Sequence, residues 1–546
     1  MKAYRFIFKI MIYVSASVPF HGSTLFNQPN PRISPKSLSS MLSDSLLAHP
    51  WLIICTIVLC RQVTRAIYRT TYHPLAQFPG PKLAAITRWY EIYYELVLGG
   101  RFAQQIEVLH QQYGPVIRIN PFELHINDPA YYNHIYDFDR SLEKRDYHIQ
   151  NVQHTGPHPC HRPLRRALDP HLSPTTIQRL EPLVTHNIEA LCRHFATAQS
   201  LEQPITLSHL YRYMTGDIIT SYTLGKSYDL LAVGNEVKSE SFLRAFQFTF
   251  RLLWLLREIP YLAGVVRLLG KGVGRWCGGL GVIPTLLRWQ WEIHTHLSTL
   301  STSPNSPILS NPTPSIIPSY IHNTSLPASS RSDMSLHDTT IMLLAASSET
   351  TGFTLTTATY HLLSPASDSH LQKLLHELHT AIPNPTSIPP WHELEDLPYL
   401  SAVIQESLRL SLGASARLPR LNSKEDMWYK GWKIPQGTVV SMTHADLHHD
   451  PTIFPDPKRF DPGRWLQVDG STARKKYLVP FSRGSRRCMG IHLAHAELYL
   501  TLATVFRRYG EAMMLWETER EDIEPARDFF VPAPEPGGNE LRVTVN

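Results

Sequence analysis

The stretch Phe481-Ser482-Arg483-Gly484-Ser485-Arg486-Arg487-Cys488-Met489-Gly490 decides how the chain is read. It sets one cysteine directly ahead of an apolar run of helical period, Ile491 to Val505. A helix N-terminus presents unpaired N–H groups and a partial positive charge, and both favour a thiolate over a thiol. Arg483, Arg486 and Arg487 act in the same direction. Gly484 permits the positive φ of a tight turn, Gly490 permits close approach of a flat ligand, and Phe481 can shield the sulfur from water. Two blander readings compete. Cys488 can be an inert buried cysteine, or it can join His492 and His495, one turn along, in a zinc site. The zinc reading leaves Phe481, Gly484 and Arg486 without a role.

An aromatic residue, a glycine, an arginine, a cysteine and a glycine at this spacing resemble the haem-binding loop of cytochrome P-450 monooxygenases, and all five positions match. The resemblance implies that Cys488 is the proximal ligand of the haem iron, its thiolate favouring O–O cleavage. It also implies that Arg486 pairs with a haem propionate.

Composition narrows the alternatives. The chain has 546 residues and a formal net charge of +6. Length alone suggests roughly three or four domains, but no linker divides the sequence cleanly, and the family builds one large domain of nearly this size. A hydrophobic content of 43% is ample for a core. No sustained basic run or basic–aromatic interleave appears, so nucleic acid is not an expected partner. The six cysteines are scattered, which is no secreted disulfide framework and fits a reducing, cytosol-facing compartment.

The N-terminal region holds two apolar stretches, Phe6 to Phe20 and Leu46 to Cys60. The second is followed by Arg61, Arg65 and Arg69, a cytoplasmic flank by the positive-inside rule. Residues 46–60 are therefore expected to be a transmembrane anchor and residues 1–45 an extension of open topology. Residues 61–81 form a basic, proline-rich hinge ending in His73-Pro74-Leu75-Ala76-Gln77-Phe78-Pro79-Gly80-Pro81. Residues 82–546 form the catalytic domain. By resemblance to microsomal family members, the hinge orients that domain on the endoplasmic reticulum membrane, facing the cytosol. Val116 to Ile126 reads as two short strands around Asn120-Pro121. Ser241 to Gly279 is apolar and aromatic, either helix core or a cavity roof that dips into lipid, and Ser301 to Ser332 reads as a flexible surface loop.

Three further loci carry chemistry. His161-Arg162-Pro163-Leu164-Arg165-Arg166 opens a helix with His161 and Arg165 on one face, similar to the family's helix that faces the haem propionates. In the long helical pattern Leu336 to Leu363, Glu349 and Thr350 interrupt an apolar segment, where an unpartnered carboxylate is costly. They resemble the acid–alcohol pair that relays protons during oxygen activation. Ser347 stands where the family usually has glycine. Glu406-Ser407-Leu408-Arg409, with Arg459 in Pro457-Lys458-Arg459-Phe460, resembles the Glu-Arg-Arg triad that locks the haem-loop scaffold. Arg420 is expected to reach a propionate. Ala346, Gly413, Ala414, Ser415 and Ala416 are expected to line the substrate cavity, and Pro532 to Asn539 is expected to be a terminal hairpin tip near it.

The resemblance implies a mainly α fold with small β-sheets and a haem b cofactor. Electrons come from NADPH through a separate cytochrome P-450 reductase, cytochrome b5 being a possible second donor. The basic residues Arg474, Lys475, Lys476, Arg483 and Arg487 can dock such a partner. The expected reaction inserts one oxygen atom of O2 into an apolar small molecule, a terpenoid or polyketide. The run His444 to Trp465 looks most like fungal secondary-metabolism members of the trichodiene-oxygenase type. Isomerase, desaturase or ring-coupling chemistry on the same haem is the alternative.

Overall fold

The computed structural model describes residues 50–136, 142–144, 161–258, 262, 264–265, 268–269, 282–302, 315–323, 326, 331–365, 368–467 and 471–546. The chain divides into a unit ending at Arg65 and a compact unit from Ala66 to Asn546. Helix α1 (Pro50–Ile67) covers most of the expected anchor, but it runs on into the basic flank at Arg61 and Arg65. Among the described residues no helix is long and apolar enough to cross a membrane. Positions 46–49, and all of 1–45, lie outside the described residues.

The compact unit is mainly helical with four small sheets among its described residues, as expected. Val116–Asn120 (β1) and Glu123–Ile126 (β2) form the antiparallel pair read from the sequence, with Val116 opposite Ile126. The sheet continues through Val439–Ser441 (β8), Arg420–Asn422 (β5) and Leu142–Lys144 (β3) in the order β1-β2-β8-β5-β3. Ile205–Thr206 (β4), Arg542–Val545 (β12) and Met513–Leu515 (β9) make a second sheet. Met427–Tyr429 (β6) and Trp432–Ile434 (β7) form a hairpin that turns at Lys430-Gly431, both with positive φ. Near the C-terminus, Arg527–Phe529 (β10) pairs with Val531–Ala533 (β11). The tip of that hairpin is therefore Phe530, not the expected Pro532 to Asn539.

Four helices position the site. Helix α2 (Leu207–Leu224) and helix α3 (Asp333–Leu363) lie side by side in the core. Ser332 caps α3 by accepting the N–H of Ser335. Several α3 hydroxyls are buried yet satisfied because they donate to carbonyls one turn back: Thr340 to Leu336, Ser348 to Leu344, Thr356 to Gly352 and Thr357 to Phe353. A Cβ at Gly352 would lie 2.9 Å from Arg212 Cγ and 3.3 Å from its Cα, so glycine is what lets α2 approach this closely. Helix α4 (Pro398–Leu410) starts on a proline in its first turn. Helix α5 (Ile491–Tyr509) begins directly after the cysteine loop and packs on α3 and α4.

One expectation is corrected here, and for the aromatic region one of the two readings left open holds at the buried positions. Within the supposed surface loop, Ile316–Ile321 forms a short helix with Ile316, Ile317 and Tyr320 buried, because this apolar patch has a core to enter. In the aromatic region, Leu243, Phe246 and Phe250 are buried, and Phe246 packs edge-on against Trp289. Over these positions the region is core; most of 259–281 lies outside the described residues.

Candidate active site

The cysteine loop is built on backbone hydrogen bonds. Ser482 N–H donates to Val479 O and Cys488 N–H donates to Phe481 O, each at 2.9 Å, and Gly484–Arg486 forms a single 3-10 turn. Ser482 and Gly484 both take positive φ, at 57° and 70°. Gly484 meets that need without steric cost, whereas Ser482 bears it with a side chain. Phe481 packs against the His495 ring. The Cys488 side chain is open to solvent-sized space, although protein atoms crowd its other sides. That crowding pushes the thiol above its ordinary range, outweighing the Gly490 N–H and the guanidiniums of Arg165 and Arg487. The Gly490 N–H and the two guanidiniums favour the thiolate, as the sequence suggests, and burial opposes them.

The residues fit a flat iron-bearing group. A Cβ on Gly490 would meet nothing within 4 Å. Ala346 is exposed in mid-helix although Leu343, Leu344, Ser348 and Glu349 around it are buried. The zinc alternative finds no support. His492 packs edge-on against Trp391, and His495 Nδ1 lies 3.5 Å from Glu395. No group of three His, Cys, Asp or Glu among the described residues is placed to hold a metal ion.

Arg165 does not point freely outward. It donates to the carbonyls of Ser485 at 3.1 Å and Arg487 at 2.9 Å, clamping the loop itself. His161 begins the predicted helix (His161–Leu168), but its side chain lies outside the described residues. Arg420 is buried with its guanidinium over Tyr136, 4.8 Å from the ring centre. Its neighbour Arg417 enters a buried carboxylate cluster of Glu91, Glu95 and Glu123.

The scaffold charge cluster is complete, with one substitution of identity. The Glu406 carboxylate accepts from Arg409 at 2.8 and 2.9 Å, from Asp461 N–H at 3.0 Å and from Trp465 Nε1 at 2.9 Å. The second arginine on it is Arg464, at 3.1 Å, not Arg459. Arg459 has an exposed side chain and contributes its carbonyl, which accepts from Arg409 and Arg464. The cause is local. Asp461 caps the 3-10 turn Pro462–Trp465, and that turn carries Arg464 and Trp465 inward.

Glu349 and Thr350 are adjacent but bonded apart. Glu349 Oε1 accepts from Arg212 Nε at 2.7 Å, while its Oε2 is buried without a hydrogen-bond partner. Thr350 Oγ1 donates to Ala346 O at 2.8 Å. Arg212 also lies 3.5 Å from Glu540 on the C-terminal segment. Burial opposes the Glu540 charge, yet Arg212 and His209 outweigh it and hold that carboxyl below its ordinary range. A cavity of about 180 Å³ beside the β10–β11 hairpin is lined by Arg212, Glu349 and Glu540 together. The short residues after α4 behave unequally. Gly413 packs on Pro480 O, Ser415 is buried and donates to Asp528, and Ala416 is fully buried, so Gly413 and Ala414 alone are partly open.

Sequence reasoning missed Arg212, Arg464 and the buried Glu497 of α5, whose carboxyl burial pushes up to about 8. Only Arg464 left a local signal, in Pro462-Gly463-Arg464-Trp465.

The Cytochrome P450 family profile matches residues 86–537. A Fusarium equiseti protein named tryptophan 6-hydroxylase fscE is 37% identical over 497 residues, covering 88% of this chain and 94% of that protein. Cytochrome P450 monooxygenase MO6277 of Ascocoryne sarcoides is 36% identical, with 87% and 95% covered. N-acetyltryptophan 6-hydroxylase ivoC of Emericella nidulans is 34% identical, with 92% and 99% covered. The extent of these matches, together with the cysteine loop and its Glu406 scaffold, places the chain in the cytochrome P450 family: it is a haem-thiolate monooxygenase that carries haem b and receives electrons from NADPH through a reductase.

Proposed function

We propose that the enzyme hydroxylates or epoxidises an apolar small molecule in a fungal secondary-metabolite pathway, a terpenoid or polyketide intermediate, and that Cys488 would hold the haem iron. The observation that carries this reading is the open Cys488 side chain at the head of α5, in a loop pinned by Phe481, Gly484 and Arg165. Bound there, haem supplies oxygen activation and transfer of one oxygen atom. The chain's own residues do the rest. Arg165 and the Phe481 carbonyl hold the loop in place, with Gly490 leaving clearance for the ring. Arg486 and Arg420 would neutralise its carboxylates. Ala346, Gly413 and Ala414 shape the apolar space. Glu349 Oε2, which accepts no hydrogen bond, is the carboxylate oxygen available to relay a proton, with the Thr350 hydroxyl next in the chain.

A second substrate reading has a specific motive. Two relatives are named as 6-hydroxylases of tryptophan or N-acetyltryptophan, which favours ring hydroxylation of an indole amino acid. Incubating the reconstituted enzyme with labelled dioxygen and a panel of sesquiterpene, polyketide and indole substrates separates these. Labelled product identifies oxygen insertion and its substrate class. Unlabelled, rearranged product favours isomerase, desaturase or ring-coupling chemistry instead.

The exposed apolar side chains of α1, among them Trp51, Ile54, Ile57 and Leu59, support a membrane anchor over residues 46–60. The basic flank supports a catalytic unit on the cytosolic side, and the resemblance to microsomal family members supports placement at the endoplasmic reticulum. Arg474, Lys475, Lys476 and Arg487 then form part of the docking face for an acidic reductase or cytochrome b5. Removal of residues 1–65 is expected to release the enzyme from microsomes, and full retention would count against the anchor.

A further inference from the structure

One buried histidine connects the charge cluster to the cysteine loop. His448 ends the short helix Ala445–His448 and is 0% exposed. Its Nδ1 lies 3.1 Å from Arg409 O, and its Nε2 lies 2.9 Å from Val479 N. A carbonyl can only accept and an amide N–H can only donate. These partners therefore fix the tautomer, with the proton on Nδ1 and a neutral ring. The link runs both ways, because Arg409 Nη1 donates to the His448 carbonyl at 2.8 Å.

Val479 is where the cysteine loop starts. Its carbonyl accepts from Ser482 N–H, and the Phe481 carbonyl two residues on accepts from Cys488 N–H. The same end of α4 touches the loop once more at Gly413, where a Cβ would fall 2.6 Å from Pro480 O. That second contact is steric and has no hydrogen bond to direct it. The ring of His448 is directional at both nitrogens, and Val479 is itself buried. No water can then replace an acceptor lost from the Val479 N–H.

We propose that His448 is a positioning residue for the haem ligand, carrying the fixed orientation of the Glu406–Arg409 cluster into the segment that presents Cys488. This rests on Cys488 being the thiolate ligand. The function lies in Nε2 as an acceptor, with Nδ1 and the ring's volume as supports.

The two nitrogens can be replaced separately. In His448→Gln the side-chain amide reaches the ε position and its oxygen can accept from Val479 N–H. In His448→Asn the amide reaches only the δ position, so it can donate to Arg409 O but leaves Val479 unpaired. The test uses the full chain in microsomes and reads the reduced carbon-monoxide spectrum and total haem. A thiolate-ligated haem absorbs at about 450 nm and one without that ligand at about 420 nm. The expected result is a ratio of the two forms within about twofold of the unmodified enzyme for His448→Gln. For His448→Asn a fall of about tenfold is expected at similar total haem, as loss of one buried acceptor gives by the tenfold-per-1.4-kcal/mol relation. Equal behaviour of the two variants, including loss of haem from both, overturns the proposal, as does a better ratio for His448→Asn. An unmodified enzyme lacking the 450 nm form would overturn the Cys488 assignment instead.

Discussion

Replacing Arg464 with alanine should destabilise the haem scaffold where the same change at Arg459 does not. Arg464 is 4% exposed. It donates to Glu406 at 3.1 Å, to Pro455 O at 3.1 Å and to Arg459 O at 3.4 Å. Losing one partner of a fully buried ion pair costs about 3–5 kcal/mol. Glu406 keeps Arg409, Asp461 N–H and Trp465 Nε1 in the variant, which lowers the expectation to about 2–4 kcal/mol. Against a total of about 5–15 kcal/mol, that is a large fraction. Arg459 presents only its carbonyl to the cluster, and alanine has the same carbonyl, so Arg459→Ala should fall within about 0.5 kcal/mol of the unmodified enzyme. Urea titration in detergent, followed by loss of the thiolate-ligated haem band, measures both. A midpoint displaced as far by Arg459→Ala as by Arg464→Ala would refute the assignment.

Three further outcomes are expected. Glu497→Gln should flatten the pH dependence of stability. Burial pushes the folded carboxyl up to about 8, so the folded state keeps a proton that the unfolded chain has released. Stability therefore falls by at most about 1.4 kcal/mol per pH unit between about pH 4.5 and about pH 8, and the variant should melt higher than the unmodified enzyme near about pH 8; parallel melting curves would exclude this. Gly352→Ala should cost about 1–3 kcal/mol, because its Cβ meets the Arg212 backbone at 3.3 Å as well as Cγ at 2.9 Å; an unchanged thermal midpoint would show that α2 can yield there. Glu349→Gln should lower product formed per NADPH by about 10²-fold, the lower range for a lost general acid, with haem content unchanged. Undiminished coupling would remove Glu349 from the proton path.

The parts of the site that could be read from the sequence are those whose chemistry is compressed into one short segment. The cysteine loop and the Glu406–Arg409 pair, three residues apart on one helix, are of this kind. Pro457-Lys458-Arg459-Phe460, which the sequence reading assigns to the triad, is followed by a similar segment, Pro462-Gly463-Arg464-Trp465. Which arginine turns inward depends on a 3-10 turn capped by Asp461, and periodicity does not report turn handedness. Arg212 could not be found because it lies 137 residues from Glu349 in the chain. Their pairing exists only once Gly352 lets α2 settle on α3. Arg165 also holds the loop carbonyls of Ser485 and Arg487, a contact its helix face alone does not reveal. The anchor expected over residues 46–60 was read from hydropathy, but hydropathy does not show where a helix stops, and α1 continues past Cys60 into charge.

The reduced carbon-monoxide difference spectrum of the full chain, expressed in membranes beside Cys488→Ser, tests the central claim most directly. Cys488 lies exposed directly ahead of α5. The account therefore predicts a band at about 450 nm for the unmodified enzyme and its loss in the variant. A band at about 450 nm that survives Cys488→Ser, or no haem band in the unmodified chain, would contradict it.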